Sequence, residues 1–168
     1  RFCPSPTSSC SQVIFLIGGC SGIGKSICTR LAAPGHTVSG TSRKPGEQPA
    51  GYRLVAMDGT DEGSVERAVQ EVIASAGGID VVVNNAGVGI QGALEDLGVA
   101  EAKAVFDADL FGPHRLCRAV LPQMRAQGSG LIINISSLAA NFGLPYRGFY
   151  SAVKAALEGP VTPLCPAS

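Results

Sequence analysis

Short apolar runs alternate with longer stretches whose apolar residues recur every three or four positions. Val13 to Ile17, Thr37 to Gly40, Arg53 to Met57, Asp80 to Asn84 and Leu131 to Ile135 have the length of buried strands, and three of them are rich in Val and Ile. Between them, Gly22 to Ala33 spaces Ile23, Ile27 and Leu31 four apart, before Pro34 and Gly35 stop the helix. Ser64 to Ala76 puts Val65, Val69, Val72 and Ile73 on one face and ends at Gly77 and Gly78. Lys103 to Arg125 reads as one long helix bent at Pro113. Strands alternating with helices predict β-α-β units with right-handed crossovers and a parallel sheet covered on both faces. The expected architecture is a doubly wound α/β sheet of order 3-2-1-4-5, with its switch point between the first and fourth strands.

The 168-residue chain is the size of one domain, with residues 13–159 as the folded unit. Pro4, Pro6 and several serines and threonines make residues 1–12 a disordered leader, and prolines make residues 160–168 an irregular tail. Thirteen basic residues balance thirteen acidic ones, which excludes the basic footprint of a nucleic-acid binder, and 45% hydrophobic content excludes disorder. No apolar run reaches the roughly 20 residues of a membrane span. Val13 to Cys20 superficially resembles a lipoprotein signal, but its apolar core is shorter than the roughly 7 residues such a signal needs. Six cysteines without a C-x-x-C pair, and two isolated histidines, suggest no metal site and point to buried free thiols in a cytoplasmic setting. Twenty-two glycines imply tight turns or a backbone that closely approaches something else.

One glycine cluster carries chemistry. Gly18, Cys20, Ser21, Gly22, Ile23 and Gly24 follow the first strand and open the first helix. Backbone N–H groups at such a helix start can hold a dinucleotide pyrophosphate. Its Gly18-x3-Gly22-x-Gly24 spacing differs from G-x-G-x-x-G, and a bare strand-to-helix turn would look alike. Asn85, Ala86 and Gly87 close the fourth strand, and Ser137 lies thirteen residues before Tyr150. Lys154 follows Tyr150 by four positions, so one helix face presents phenol and ammonium together. A phenol ordinarily keeps its proton until about pH 10. One cation about 4 Å away, at an effective dielectric near 20, favours the phenolate by about 4 kcal/mol, enough for proton exchange near neutral pH.

These motifs, in this order and spacing, resemble the short-chain dehydrogenase/reductase family from about Val13 to Gly159. The resemblance implies a Rossmann-type fold and an NAD(P)-dependent oxidoreductase that interconverts a small-molecule carbonyl and a secondary alcohol by hydride transfer. It implies that Tyr150 exchanges the proton with substrate, Ser137 hydrogen-bonds the substrate oxygen, and Lys154 also binds the nicotinamide ribose. The second strand ends in Thr41, Ser42, Arg43 and Lys44, without the acid that would hold a ribose 2′-hydroxyl. Hydroxyls and a guanidinium suit a 2′-phosphate, so NADP is expected over NAD, although Arg43 and Lys44 could simply solvate a loop. The missing acid also disfavours a methyltransferase-like nucleotide fold. Asp58 matches the position that contacts adenine in the family, and it would look the same as a turn aspartate.

Three departures stand out. Asp109 occupies the place of an asparagine that usually completes the catalytic set and holds a relay water; its charge would offset part of the field of Lys154. Ile17 replaces a threonine that usually braces the glycine turn. Family members also usually continue beyond the lysine by roughly a third of their length, adding two strands and a substrate-covering segment. The chain therefore reads as truncated, with an exposed sheet edge that favours homo-oligomers. A catalytically weak or inactive dinucleotide-binding module is the alternative to an active enzyme.

Overall fold

The computed structural model describes residues 11–159. Five parallel strands form one sheet: β1 (Val13–Ile17), β2 (Thr37–Ser42), β3 (Arg53–Ala56), β4 (Val81–Asn84) and β5 (Leu131–Asn134), in the order β3-β2-β1-β4-β5. The helices are α1 (Gly22–Ala32), α2 (Glu62–Ala76), α3 (Val99–Phe106), α4 (Gly112–Gln127) and α5 (Gly148–Glu158). The expected strand order and doubly wound α/β class are those observed.

The two-residue period of the strands divides the core. Phe15 and Val82 point to one face, where Val65, Val69 and Val72 of α2 meet Leu116, Val120 and Met124 of α4. Ile14, Leu16, Val81 and Val83 point to the other, against Cys28 of α1, Val38 and Tyr52. Each buried aliphatic or aromatic side chain contributes about 1.5 to 3 kcal/mol relative to exposure. At the edge, β5 pairs only with β4 among the described residues and exposes Leu131 and Ile133.

The long helix differs from expectation. It begins at Val99, four residues before Lys103, because the Gly98 N–H donates to Glu101 Oε2 at 2.9 Å and starts a helical turn there. It is then broken by a π-helical turn at Asp107–Phe111, ahead of Pro113. Pro113 sits in the first turn of α4, where a missing N–H costs little, so it is not the cause of the break. Helix α2 begins two residues before Ser64, since the Asp61 carboxylate accepts the Ser64 N–H and caps it. Ser11 and Gln12 already hydrogen-bond to Gly35 and His36, and the rest of the expected leader, like the tail at 160–168, lies outside the described residues.

Candidate active site

The glycine turn, Asp58, the Asn85 to Gly87 segment and Ser137 follow the carboxyl ends of β1, β3, β4 and β5, the edge where open α/β sheets bind ligands. The glycine turn joins β1 to α1. Ser21 makes no side-chain cap to α1, so that cap leaves the first-turn N–H groups of the helix without a side-chain acceptor. Gly18 has φ +83°, and a Cβ there would stand 3.1 Å from the Ala86 Cβ. A Cβ on Gly24 would lie 2.0 Å from the Gly18 carbonyl oxygen and 2.6 Å from Asn85 Nδ2, so the helix packs there at backbone contact. Asn85 in turn donates to the Ile17 carbonyl at 3.4 Å. The turn and the segment after β4 are thus one assembly.

That assembly continues to the catalytic candidates through Gly87. A Cβ on Gly87 would stand 2.8 Å from Asp109 Oδ2 and 3.0 Å from Lys154 Nζ. Asp109, in the π turn, is fully buried, and Lys154 is 4% exposed. Their charged atoms are 3.2 Å apart. The approach lacks hydrogen-bond alignment, so Oδ2 has an ion-pair partner without an aligned donor. Asp109 Oδ1 accepts the Val88 N–H at 2.7 Å, which fastens the π turn to the loop after β4. Wide turns of this kind recur where a helix must aim a functional side chain.

Tyr150 lies one turn before Lys154 on α5, with the Lys154 ammonium 5.7 Å from its ring centroid. The Arg147 guanidinium lies at the same distance from that ring, a neighbour the sequence did not single out. Ser137 caps the short 3-10 turn Leu138–Ala140, accepting the Ala139 N–H at 3.2 Å, and that turn packs against α5. The structure therefore brings Lys154 and Asp109 together beside Gly87, with Tyr150 one turn away on α5 and Ser137 at the start of the turn that packs against that helix.

A second group forms at the ends of β2 and β3. Ser42, Arg43 and Lys44 reach or lie on the surface, and the Ser42 hydroxyl accepts the Lys44 N–H at 3.3 Å. Asp58 Oδ1 accepts the Thr60 N–H and hydroxyl at 2.9 and 2.8 Å. These bonds hold its carboxyl below the usual range, with smaller help from the Arg43 and Arg115 charges. Thr41, grouped with the 2′-phosphate hydroxyls by sequence, is instead buried; its Oγ1 accepts the Gly18 N–H at 3.0 Å. Its position inside β2 turns the hydroxyl to the glycine turn and supplies the brace that Ile17 lacks. Tyr52 was also missed: its hydroxyl donates to the Gly19 carbonyl at 2.8 Å, across 33 positions that no local pattern links.

The thiols divide. Burial pushes Cys28 up to about 11 and also raises Cys117, whereas Cys20 stands exposed in the glycine turn, contrary to the expectation of buried thiols. Cys3, Cys10 and Cys165 lie outside the described residues. No described helix is long and apolar enough to cross a membrane.

Comparison with known proteins agrees with the motifs. Residues 12–165 match the family model described as short chain dehydrogenase. The chain is 46% identical over 148 residues to 3-ketodihydrosphingosine reductase of Bacteroides thetaiotaomicron, covering 88% of this chain and 55% of that protein. A short-chain dehydrogenase from Streptomyces avermitilis superposes with a TM-score of 0.84 at 38% identity, covering 91% of this chain and 59% of that one. Solved structures with either dinucleotide are similar: ElxO with NADP bound (TM-score 0.83, 25% identity, 90% of this chain and 65% of that one) and the NADH-dependent reductase A1-R′ with NAD (0.81, 26%, 89% and 70%). The chain spans about half the length of the curated relatives it matches. With its five-stranded sheet, glycine turn and Ser137, Tyr150 and Lys154 set, the chain belongs to the short-chain dehydrogenase family.

Proposed function

We propose that this chain serves an oxidoreductase that interconverts a carbonyl and a secondary alcohol with NADP in preference to NAD. The observation that carries the reading is the convergence of Tyr150 and the buried Lys154 on one helix face beside Gly87. The residues present fit a dinucleotide. The uncapped N-terminus of α1 offers donors to a pyrophosphate, the close-packed Gly18, Gly24 and Gly87 carry no side chain to obstruct it, and Gly22 supplies the φ of +53° at the start of the helix. Cys20, Ser21, Ile23, Asn85 and Ala86 would border it, Asp58 would meet the adenine, and Ser42 and Arg43 would meet the 2′-phosphate. When bound, the nicotinamide supplies or accepts the hydride, two electrons and one proton in all.

The chain's own residues do the rest. In reduction, the Ser137 hydroxyl donates to the carbonyl oxygen and holds the carbon toward the hydride. The Tyr150 hydroxyl delivers a proton to that oxygen as the hydride arrives at carbon, and the phenolate left behind is stabilised by Lys154. Oxidation runs these steps backwards. Lys154 would also hold the nicotinamide ribose, tying phenol and dinucleotide to one ammonium. Free Cys28 and Cys117 accord with a reducing, cytoplasmic setting.

The Asp109 carboxylate favours a second reading, a weakly catalytic dinucleotide-binding module, since it offsets the charge that Tyr150 needs. Fluorescence titration tests the cofactor side. NADPH should bind more tightly than NADH, and Arg43→Ala should remove roughly 1.5 to 3 kcal/mol of that difference. Equal affinities in the parent chain would refute the NADP preference.

A further inference from the structure

One side chain joins two loops near the ligand edge of the sheet. Arg115 lies three residues after the start of α4, with its side chain 23% exposed. Its Nη1 donates to the Gly59 carbonyl at 3.2 Å and to the Asp107 carbonyl at 3.5 Å, while Nη2 donates to Asp107 Oδ1 at 2.6 Å. Gly59 follows Asp58 in the loop after β3, and Asp107 opens the π turn that carries Asp109. A Cβ on Gly112 would stand 3.3 Å from the Gly59 carbonyl oxygen and 3.6 Å from that of Asp107, so α4 starts where the two carbonyls converge. A guanidinium serves both loops because its nitrogens diverge from one rigid plane, a geometry that a single ammonium does not reproduce.

What Arg115 holds in the first loop is a peptide plane. The peptide that joins Gly59 to Thr60 presents its carbonyl to Arg115 and, from its opposite side, its N–H to Asp58 Oδ1 at 2.9 Å. Because that plane is rigid, fixing the carbonyl fixes the direction of the N–H and of the carboxylate that accepts it. The Thr60 hydroxyl donates to the same oxygen, and the Asp58 N–H donates to the Ser64 hydroxyl at 3.0 Å. Asp58 Oδ2 takes no hydrogen bond among the described residues, which leaves it for a donor on a ligand. In the second loop, Asp107 begins the turn whose Asp109 accepts the Val88 N–H and stands 3.2 Å from Lys154. One guanidinium therefore reaches both the adenine candidate and the turn that carries the buried carboxylate.

We propose that Arg115 is a positioning residue for the dinucleotide: through the Gly59–Thr60 peptide it aims Asp58 at the amino group of the adenine, and through Asp107 it keeps that loop in register with the Asp109 and Lys154 pair. The inference rests on the dinucleotide reading of the site and adds the residue that sets its selectivity for adenine.

The test titrates this chain calorimetrically with NADPH and with its hypoxanthine analogue, in which an oxygen replaces the amino group of the adenine. Amide hydrogen exchange is followed by NMR without ligand. The parent should prefer NADPH by at least about tenfold, the lower end for a hydrogen bond to a charged group. Arg115→Met should cut that preference below about threefold and speed exchange of both the Thr60 and Val88 amides by at least about threefold, while the Val82 amide of the sheet core holds. Arg115→Lys keeps the charge without the fork; it should fall between the two, and it is read in the same way if the Met variant does not fold. An unchanged preference, or an equal loss of affinity for both dinucleotides, would overturn the proposal, because a residue that only braced α4 would weaken them alike. Faster exchange at Thr60 without Val88 would also overturn it. A parent that binds both dinucleotides equally would remove Asp58 as the adenine contact, and the proposal with it. A parent that binds neither would remove the dinucleotide reading, whereas joint acceleration of the two amides would still carry the link that Arg115 makes between the loops.

Discussion

Replacing Asp109 by asparagine changes one charge in a fully buried place while keeping the shape and the acceptor for the Val88 N–H. At the observed 3.2 Å, the attraction between Asp109 and Lys154 is about 5 kcal/mol at an effective dielectric near 20, from which desolvation of both groups must be subtracted. Removing one partner from such a pair leaves the other buried and uncompensated, typically at a cost of about 3 to 5 kcal/mol. Because the amide preserves packing, Asp109→Asn should lie at the low end, about 3 kcal/mol, or a drop in melting temperature of roughly 6 to 12 °C for a domain of this size. Lys154→Met should also destabilise. The Asp109→Asn/Lys154→Met double variant should recover most of the loss, giving a coupling energy above about 1 kcal/mol in a double-mutant cycle.

Activity should move the other way. The Lys154 ammonium lies 5.7 Å from the Tyr150 ring centroid and is paired with the Asp109 carboxylate, whose negative charge offsets part of the ammonium's field, so the amide should release it. We expect Asp109→Asn to raise alcohol oxidation and to shift its pH–rate profile toward lower pH, and Tyr150→Phe to abolish the gain. The assay compares this chain with a chimera that continues it with the C-terminal segment of the Bacteroides reductase. Superimposable pH–rate profiles, together with a melting temperature within about 2 °C of the parent, would refute the reasoning and reduce Asp109 to a packing residue.

Thr41→Val should leave the Gly18 N–H without its acceptor, costing about 1 to 3 kcal/mol and weakening NADPH binding, while Thr41→Ser keeps both; urea midpoints and fluorescence titration check this. Asp58, held below its ordinary range by Thr60, adds stability that is fully present above its unfolded value near pH 4 and is lost as pH falls through its lower folded value. The stability gap between parent and Asp58→Asn should therefore be constant from about pH 5 to 7 and close on acidification below about pH 4; a gap that widens would reverse the assignment.

What was legible in the sequence was periodic or contiguous. Continuous apolar runs mark β1 and β4 as strands covered on both faces, and the spacing of Val65, Val69 and Val72 marks the buried face of α2, whereas in α1 the same spacing misleads, since Ile23 is exposed and Cys28 is the buried side chain. The glycine turn was legible because a helix start beside a strand end needs residues without side chains, and Gly24 meets the Gly18 carbonyl there. The break in the long helix was misplaced at Pro113. Proline advertises a break locally, whereas the real one comes from a contact between Asp109 and Val88, 21 positions apart.

Side-chain partners across the sheet were the least legible, and they change the chemistry most. Sequence places Thr41 beside Arg43 and suggests a common anion, yet Thr41 lies inside β2, where burial commits its hydroxyl to the backbone of the glycine turn, whereas Arg43 lies past the end of the strand on the surface. The N–H of Gly18 needs an acceptor, and β2 brings it in the Thr41 hydroxyl. Asp109 follows the same logic with the opposite result. The π turn carries its carboxylate to Lys154 because Val88 offers an N–H there, and an amide would have served that bond equally well. The bond that shapes the turn therefore does not need the charge, which makes the effect of that charge on Tyr150 separable from the scaffold and measurable by a single oxygen-to-nitrogen exchange.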